Sequence, residues 1–186
     1  MADAALSIPR LNAQEYLERE TDAAYKHEFV NGIVYAIAGA SRRHNLITNG
    51  VFGSLDAGLA PPWQAFTIDI KVHIKSAADE QYYYPDVVVT RSDPDNNSHV
   101  VTQPTLIVEV ISPTTEDADR GYKFNDYCKL ASLQEYVLVQ QERPSVELYR
   151  RRTNWQNETY GPDADITLES VQLPLSVAQL YRRATF

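Results

Sequence analysis

The heptapeptide Leu106–Ser112, LIVEVIS, constrains this chain more than any other stretch. Its apolar, β-branched composition is that of a buried strand. Side chains alternate along a strand, so Ile107, Glu109 and Ile111 share one face, and Leu106, Val108 and Val110 share the other. Glu109 is therefore flanked by apolar neighbours on its own face. A lone buried carboxylate is expensive and is normally paired, protonated or metal-bound.

A second strand is read upstream at Tyr84–Val89, YPDVVV, with Asp86 at its entrance. Arg91–Pro104 between them is rich in Asp, Asn, Ser and Pro and reads as a turn or long loop. If the two strands pair antiparallel, the midpoint of Asp86 and Glu109 falls between Asn97 and Ser98, inside that loop. Register counting then puts both carboxylates near one end of the pair. Two convergent carboxylates at a sheet end are what a divalent cation needs.

The chain has 186 residues, 44% of them hydrophobic and 23% charged, which is enough for one domain with a real core. A net charge of −8 does not advertise nucleic-acid binding, although local basic stripes can still serve. One cysteine, Cys128, rules out an internal disulfide and argues against a cysteine-based zinc site. No signal peptide, transmembrane run or internal repeat is expected, and a reducing cytoplasm suits the composition.

In order, residues 1–10 read as a loosely held arm and residues 11–186 as one domain. Asn12 caps an expected helix to about Glu20. Asn31-Gly32 joins Lys26–Val30 and Ile33–Ala38 as a hairpin. Leu46, Ile47, Val51, Leu55 and Leu59 mark a helix over Arg42–Leu59, ended by Pro61-Pro62. Trp63–Phe66 is a short strand. Thr67–Lys75 alternates, with Ile68, Ile70, Val72 and Ile74 inward and Asp69, Lys71, His73 and Lys75 outward. After Ser112-Pro113, a helix capped by Thr114 or Thr115 is expected to run to Ala131, with Lys123, Tyr127 and Leu130 on one face and Gly121 as a mild defect. Glu135–Gln140, Val146–Arg151, Glu158–Tyr160 and Ile166–Leu168 are strands. A short helix follows Leu173-Pro174, anchored by Leu175, Leu180 and Tyr181. The sum is an α+β (or α/β-like) domain with a mixed sheet and about three helices.

A metal-dependent nuclease needs two or three carboxylates for Mg²⁺ and a lysine near the attacking water. Asp86 and Glu109 supply carboxylates. The position two residues after Glu109 is Ile111, so the lysine must come from elsewhere, and Lys123 lies one helix later. PD-VVV, then P-LIVEVISP, an acidic turn, K-xxx-Y and LQEYVLV together resemble the Uma family of restriction-endonuclease-like proteins, within the PD-(D/E)XK nuclease superfamily. The resemblance spans roughly Gln14–Arg150. It implies a restriction-endonuclease-like fold, DNA as substrate, and Mg²⁺ (or Mn²⁺ in its place) on Asp86 and Glu109. It also implies that the catalytic lysine has migrated to Lys123, that Glu28 in the EF-NG-VY segment is the acidic residue before the core strands, and that His44 matches a histidine at the start of the following helix.

Each residue also has a plainer reading. Glu28 can merely flank a hairpin, His44 can cap a helix, and Lys123 can be a solvated helix lysine. Arg150-Arg151-Arg152 is either a solvated run or, with Arg143, the flank of a phosphate path. Tyr82, Tyr83 and Tyr84 suit a core or dimer contact better than base stacking. The reading is a Mg²⁺-dependent endonuclease acting on DNA; the alternative is a nuclease fold that has lost cleavage and serves as a binding or assembly module. Tyrosine richness and the apolar run Tyr136–Val139 suggest a homodimer.

Overall fold

Alternation along a few short strands decides the layers. The computed structural model describes residues 10–67, 69–91 and 99–186. In chain order the elements are α1 (Ala13–Thr21), β1 (His27–Val30), β2 (Ile33–Ala36), α2 (Arg42–Gly58), β3 (Trp63–Thr67), β4 (Lys71–Lys75), β5 (Glu80–Tyr83), β6 (Val87–Arg91), β7 (Val100–Val101), β8 (Pro104–Ile111), α3 (Glu116–Arg120), α4 (Tyr122–Tyr127), β9 (Glu135–Gln140), β10 (Val146–Arg150), β11 (Asn157–Tyr160), β12 (Asp165–Leu168), β13 (Leu173–Ser176) and α5 (Val177–Leu180).

β8 is central in a sheet ordered β11-β10-β9-β8-β6-β3, parallel to β9 and antiparallel to β6. A second sheet is ordered β2-β1-β5-β4-β7, and β12 pairs with β13. The two faces of β8 bury into different cores. Leu106, Val108 and Val110 pack with Ile47, Val51 and Leu55 of α2 and with Leu175 and Leu180. Ile107 and Ile111 pack with Val72, Ile74 and Tyr83 of the second sheet and with Tyr127 and Tyr136. The far face of the second sheet is covered by α1, where Tyr16 meets Phe29 and Tyr82. The two sheets thus lie face to face, with α2 outside one and α1 outside the other.

Local chemistry explains the boundaries. Asn12 and Glu15 form a reciprocal capping box on α1. Asn31 and Gly32 both take positive φ, 48° and 93°, as a tight hairpin demands. Ser41 caps α2 by accepting the His44 N–H.

Several expectations are corrected. Thr67–Lys75 is not one strand: β3 belongs to the first sheet and β4 to the second, so the chain crosses between sheets there. Lys71 is consequently buried rather than outward, and His73 stacks on Tyr82 with ring centroids 4.2 Å apart. Ile68, residues 1–9 of the expected arm, and 92–98 of the expected loop lie outside the described residues. The helix expected up to Ala131 breaks at Gly121 into α3 and α4. Thr115 makes no side-chain cap; its hydroxyl accepts the Ser112 N–H instead. In the Arg150–Arg152 run Arg150 and Arg151 are structural, and only Arg152 is solvent-exposed. Arg150 is buried against Glu135 and Glu158, Arg151 donates to the carbonyls of Leu133, Leu130 and Cys128, and Arg152 pairs with Glu169. Tyr136–Val139 is enclosed between β8 and β10, so this run offers no face to a second copy.

Gly121 is more than a mild helix defect. A Cβ there would stand 2.6 Å from the Asp117 carbonyl oxygen, a contact that forces backbone to shift. Gly121→Ala is expected to lower stability by about 1–3 kcal/mol through overpacking, despite the better helix propensity of alanine. Urea denaturation measures it; a variant as stable as wild type would show that the break is not set by this contact.

Candidate active site

The β6–β8 register carries the site. Val87 pairs with Val108 and Val88 with Ile107, so one step further Asp86 falls opposite Glu109. The Asp86 N–H donates to Glu109 Oε2 at 3.1 Å, and the Val110 N–H donates to Asp86 Oδ2 at 2.7 Å. The two carboxylates are thus locked together by the ends of their own strands.

Three other elements close on them. Glu28 projects from β1, and its Oε1 accepts the Tyr84 N–H at 3.3 Å. Lys123, in the first turn of α4, places Nζ 2.8 Å from Glu28 Oε1, 3.6 Å from Asp119 Oδ1 and 3.9 Å from Glu109 Oε1. The Tyr83 ring lies 5.5 Å from the same ammonium. From the α2 side, His44 Nε2 stands 3.2 Å from Asp86 Oδ2. Tyr127 donates to Glu109 Oε1 at 3.1 Å. Glu28, Asp86, Glu109, Lys123 and His44, read from the sequence, therefore meet in one place.

Asp119 and Tyr127 complete the cluster without having been singled out for it. The signal for Asp119 was its position four residues before Lys123 on a helical stretch, where an acid meets a base. It was hidden by Glu116 and Asp117, which made the whole acidic turn look like helix N-terminal chemistry. Tyr127 sits four residues after Lys123 on the face already noted.

Burial sets the electrostatics. Glu109 is almost wholly inaccessible, and burial pushes its carboxyl well above the usual glutamate range; Lys123 opposes the rise, while Asp119, Asp86 and Glu28 add to it. Burial likewise raises Asp119, against the pull of Lys123. Burial works against the Lys123 ammonium, but the charges of Glu109, Glu28 and Asp119 outweigh it and hold its pKa above the ordinary lysine value. Lys123 is a permanent cation here. Burial also works against a charged His44, but the bond to Asp86 and its charge leave the imidazole raised. Burial keeps Tyr127 a neutral donor.

Four carboxylates face one lysine and one histidine, and their oxygens are hard donors of the kind Mg²⁺ or Mn²⁺ takes. Among the described residues no three His, Cys, Asp or Glu side chains stand together as a ready coordination set. The donor chemistry fits a hard divalent cation, and the excess of acid over the one lysine is what a second cation would neutralise. Asp86 has Oδ2 tied to Val110 and His44, which leaves Oδ1 to offer a ligand.

Comparison with known proteins gives the family and the fold. A family model, Uma2, described as "Putative restriction endonuclease", matches residues 13–179. The chain is 36% identical over 170 residues to the uncharacterized protein sll1609 of Synechocystis sp., covering 88% of this chain and 95% of that one. It is 34% identical over 186 residues to the uncharacterized protein slr1290 of the same organism, covering 96% and 95%. The crystal structure of a protein titled a putative nuclease belonging to DUF820, from Anabaena variabilis, superposes with a TM-score of 0.74 at 18% identity, covering 92% of this chain and 98% of that one. The fold is restriction-endonuclease-like, a mixed α+β domain, as the resemblance implied.

The raised carboxyl of Glu109 has a signed consequence. The native state holds its proton more tightly than the unfolded chain, so its contribution to stability falls as pH rises from about 4.5 toward the raised native value. Glu109→Gln removes that loss. In chelator-treated buffer its stability is expected to gain on wild type by up to about 1.4 kcal/mol per pH unit across that window. Urea denaturation of both proteins between pH 4.5 and 8 tests this; a constant difference would contradict the assignment.

Proposed function

The chain belongs to the Uma2 family, and from that premise we propose that it is a Mg²⁺-dependent endonuclease hydrolysing DNA phosphodiester bonds, with Asp86 and Glu109 as metal ligands and Lys123 as the catalytic cation. The observation that carries this reading is the return of Lys123 to the sheet end that bears Asp86 and Glu109. Gly121 breaks the helix before it, and the ammonium lands among Glu28, Glu109 and Asp119. A lysine two residues after Glu109 would project from the same strand face; one from α4 reaches the same carboxylates from above. A divalent cation on the carboxylates would acidify water and polarise the phosphate.

The other roles follow from the contacts. Lys123, charged throughout the neutral range, stabilises the negative charge that develops on the phosphate oxygens and orients the attacking water. Glu28 is a positioning residue: one oxygen holds Lys123 at 2.8 Å and is itself held by the Tyr84 N–H. Tyr127 donates to one oxygen of Glu109, and the Asp86 N–H donates to the other. His44 holds Asp86 Oδ2 from the side away from Lys123. Net charge −8 makes the approach of DNA depend on the local cations and on the metal rather than on a general field. Within this reading the protein works in the cytoplasm as a homodimer, one copy for each strand of a duplex, paired through a surface other than the enclosed run Tyr136–Val139.

Lys123→Ala is expected to keep Mn²⁺ binding, measured by calorimetry, and to lose about 100-fold or more of the cleavage rate. Asp86→Ala and Glu109→Ala are expected to lose both metal and cleavage. Supercoiled and single-stranded DNA with Mg²⁺ or Mn²⁺ are the substrates to compare. Cleavage by Lys123→Ala at the wild-type rate would sink the lysine role. Wild-type protein that binds DNA and cuts neither substrate would instead favour the binding-module reading.

A further inference from the structure

Lys71, at the start of β4, is a cation that the site described above does not use. The residue is 8% exposed, and among the described residues its ammonium makes no ion pair or hydrogen bond and lies 5.0 Å from the centre of the Tyr84 ring. A half-desolvated ammonium whose nearest acid stands off without pairing retains the capacity to take an anion.

The carboxylates nearby hydrogen-bond to other groups, although the charge of Glu20 still favours the Lys71 ammonium. Glu20 Oε1 accepts the His27 N–H at 2.8 Å and the Tyr84 hydroxyl at 3.0 Å, and its Oε2 meets His27 Nδ1 at 3.0 Å. Asp69 pairs with Lys26. Lys26 brings a second ammonium over the same Tyr84 ring, 5.7 Å from its centre. Burial and the charge of Lys26 both push the Lys71 pKa down, against the pull of Glu20.

Tyr84 connects this spot to the carboxylate cluster. The Val72↔Tyr83 register extended by one step sets Lys71 beside Tyr84. The Tyr84 N–H donates to Glu28, and Pro85 alone separates Tyr84 from Asp86. Glu28 and Lys71 therefore stand on the two faces of the second sheet at the end where the chain leaves for Asp86. A strand of phosphodiesters crossing that lip meets both.

We propose that Lys71, with Lys26 beside it on Tyr84, is a phosphate-binding subsite that holds a backbone phosphate next to the one to be cleaved. The proposal rests on the DNA-hydrolase reading. Its ligand chemistry is a phosphate oxygen dianion or monoanion, and the phosphodiester is the source we commit to.

The test is fluorescence anisotropy of labelled single-stranded and duplex oligonucleotides bound to the full chain in Ca²⁺, across a salt series. Lys71→Met is compared with Lys71→Arg and wild type, and thermal melting is followed in parallel. Lys71→Met is expected to bind DNA about tenfold more weakly, as for loss of one charge-assisted contact, and to lower the slope of log K against log salt by about one. Lys71→Arg should restore both. Lys71→Met should melt no lower than wild type, since burial disfavours the charge it removes; a purely structural lysine would show the opposite pattern, lower melting with unchanged DNA affinity. Unchanged affinity and slope in Lys71→Met overturn the subsite while leaving the nuclease reading intact. Wild type that binds no DNA overturns both. Inorganic phosphate that displaces Lys71-dependent DNA binding only at concentrations that also act on Lys71→Met supports the phosphodiester as the ligand; selective displacement by phosphate at far lower concentration points to a free phosphate site and overturns the commitment to DNA.

Discussion

The ammonium of Lys123 among Glu28, Glu109 and Asp119 is the interaction on which the rest of this structure depends. The three carboxylates come from β1, β8 and α3, and β1 lies far from the other two in sequence. Only a centre of opposite charge makes their approach tolerable in a buried place. The attraction does not make the site a source of stability, because desolvating four charged groups offsets most of it. What it does is fix geometry. Removing one member of such a group leaves the others uncompensated, typically at a cost of about 3–5 kcal/mol.

The cluster is also acid-rich. Glu109 and Asp119 are both raised, each because burial disfavours its charged form, so both hold a proton more readily than a free carboxyl. Under the proposed reading a divalent cation would compete with those protons, and its affinity would rise with pH. Binding, protonation and stability are thus linked at one spot. That is the usual position of a functional site, which trades packing for reactivity.

The architecture around the cluster keeps it in place from both sides. One face of the large sheet rests on α2, which supplies His44; the other faces the small sheet, which supplies Glu28. The break at Gly121 lets α3 and α4 contribute Asp119 and Lys123 to one point. Elsewhere charges are used for structure. Arg150 with Glu135 and Glu158, and Arg120 with Glu116 and Glu147, tie the far strands and α3 together. Arg120 holds the Glu147 carboxyl down to about 2, so that pair stays ionised in ordinary conditions.

Much of this was legible in the chain itself. The alternation in Leu106–Ile111 assigned the two faces of the central strand, and the distance between Asp86 and Glu109 across the loop put them at one sheet end; both follow from the twofold period of a strand, a local property. The capping box at Asn12 and the Asn31-Gly32 turn are local in the same way. The order of motifs pointed to Glu28 and Lys123, and to the restriction-endonuclease-like fold. Tertiary structure alone decided the rest. Thr67–Lys75 has the pattern of one strand, yet it is divided between two sheets, because alternation says which way a side chain points and not which partner a backbone finds. Lys71 is buried for that reason. Asp119 was masked by two neighbouring acids, since a helix position acquires its environment only when the helix is placed against the sheets. Gly121 looked like a small loss of helix propensity; it stands at a break whose turn leaves no room for a Cβ beside the Asp117 carbonyl, a contact that exists only in the folded chain.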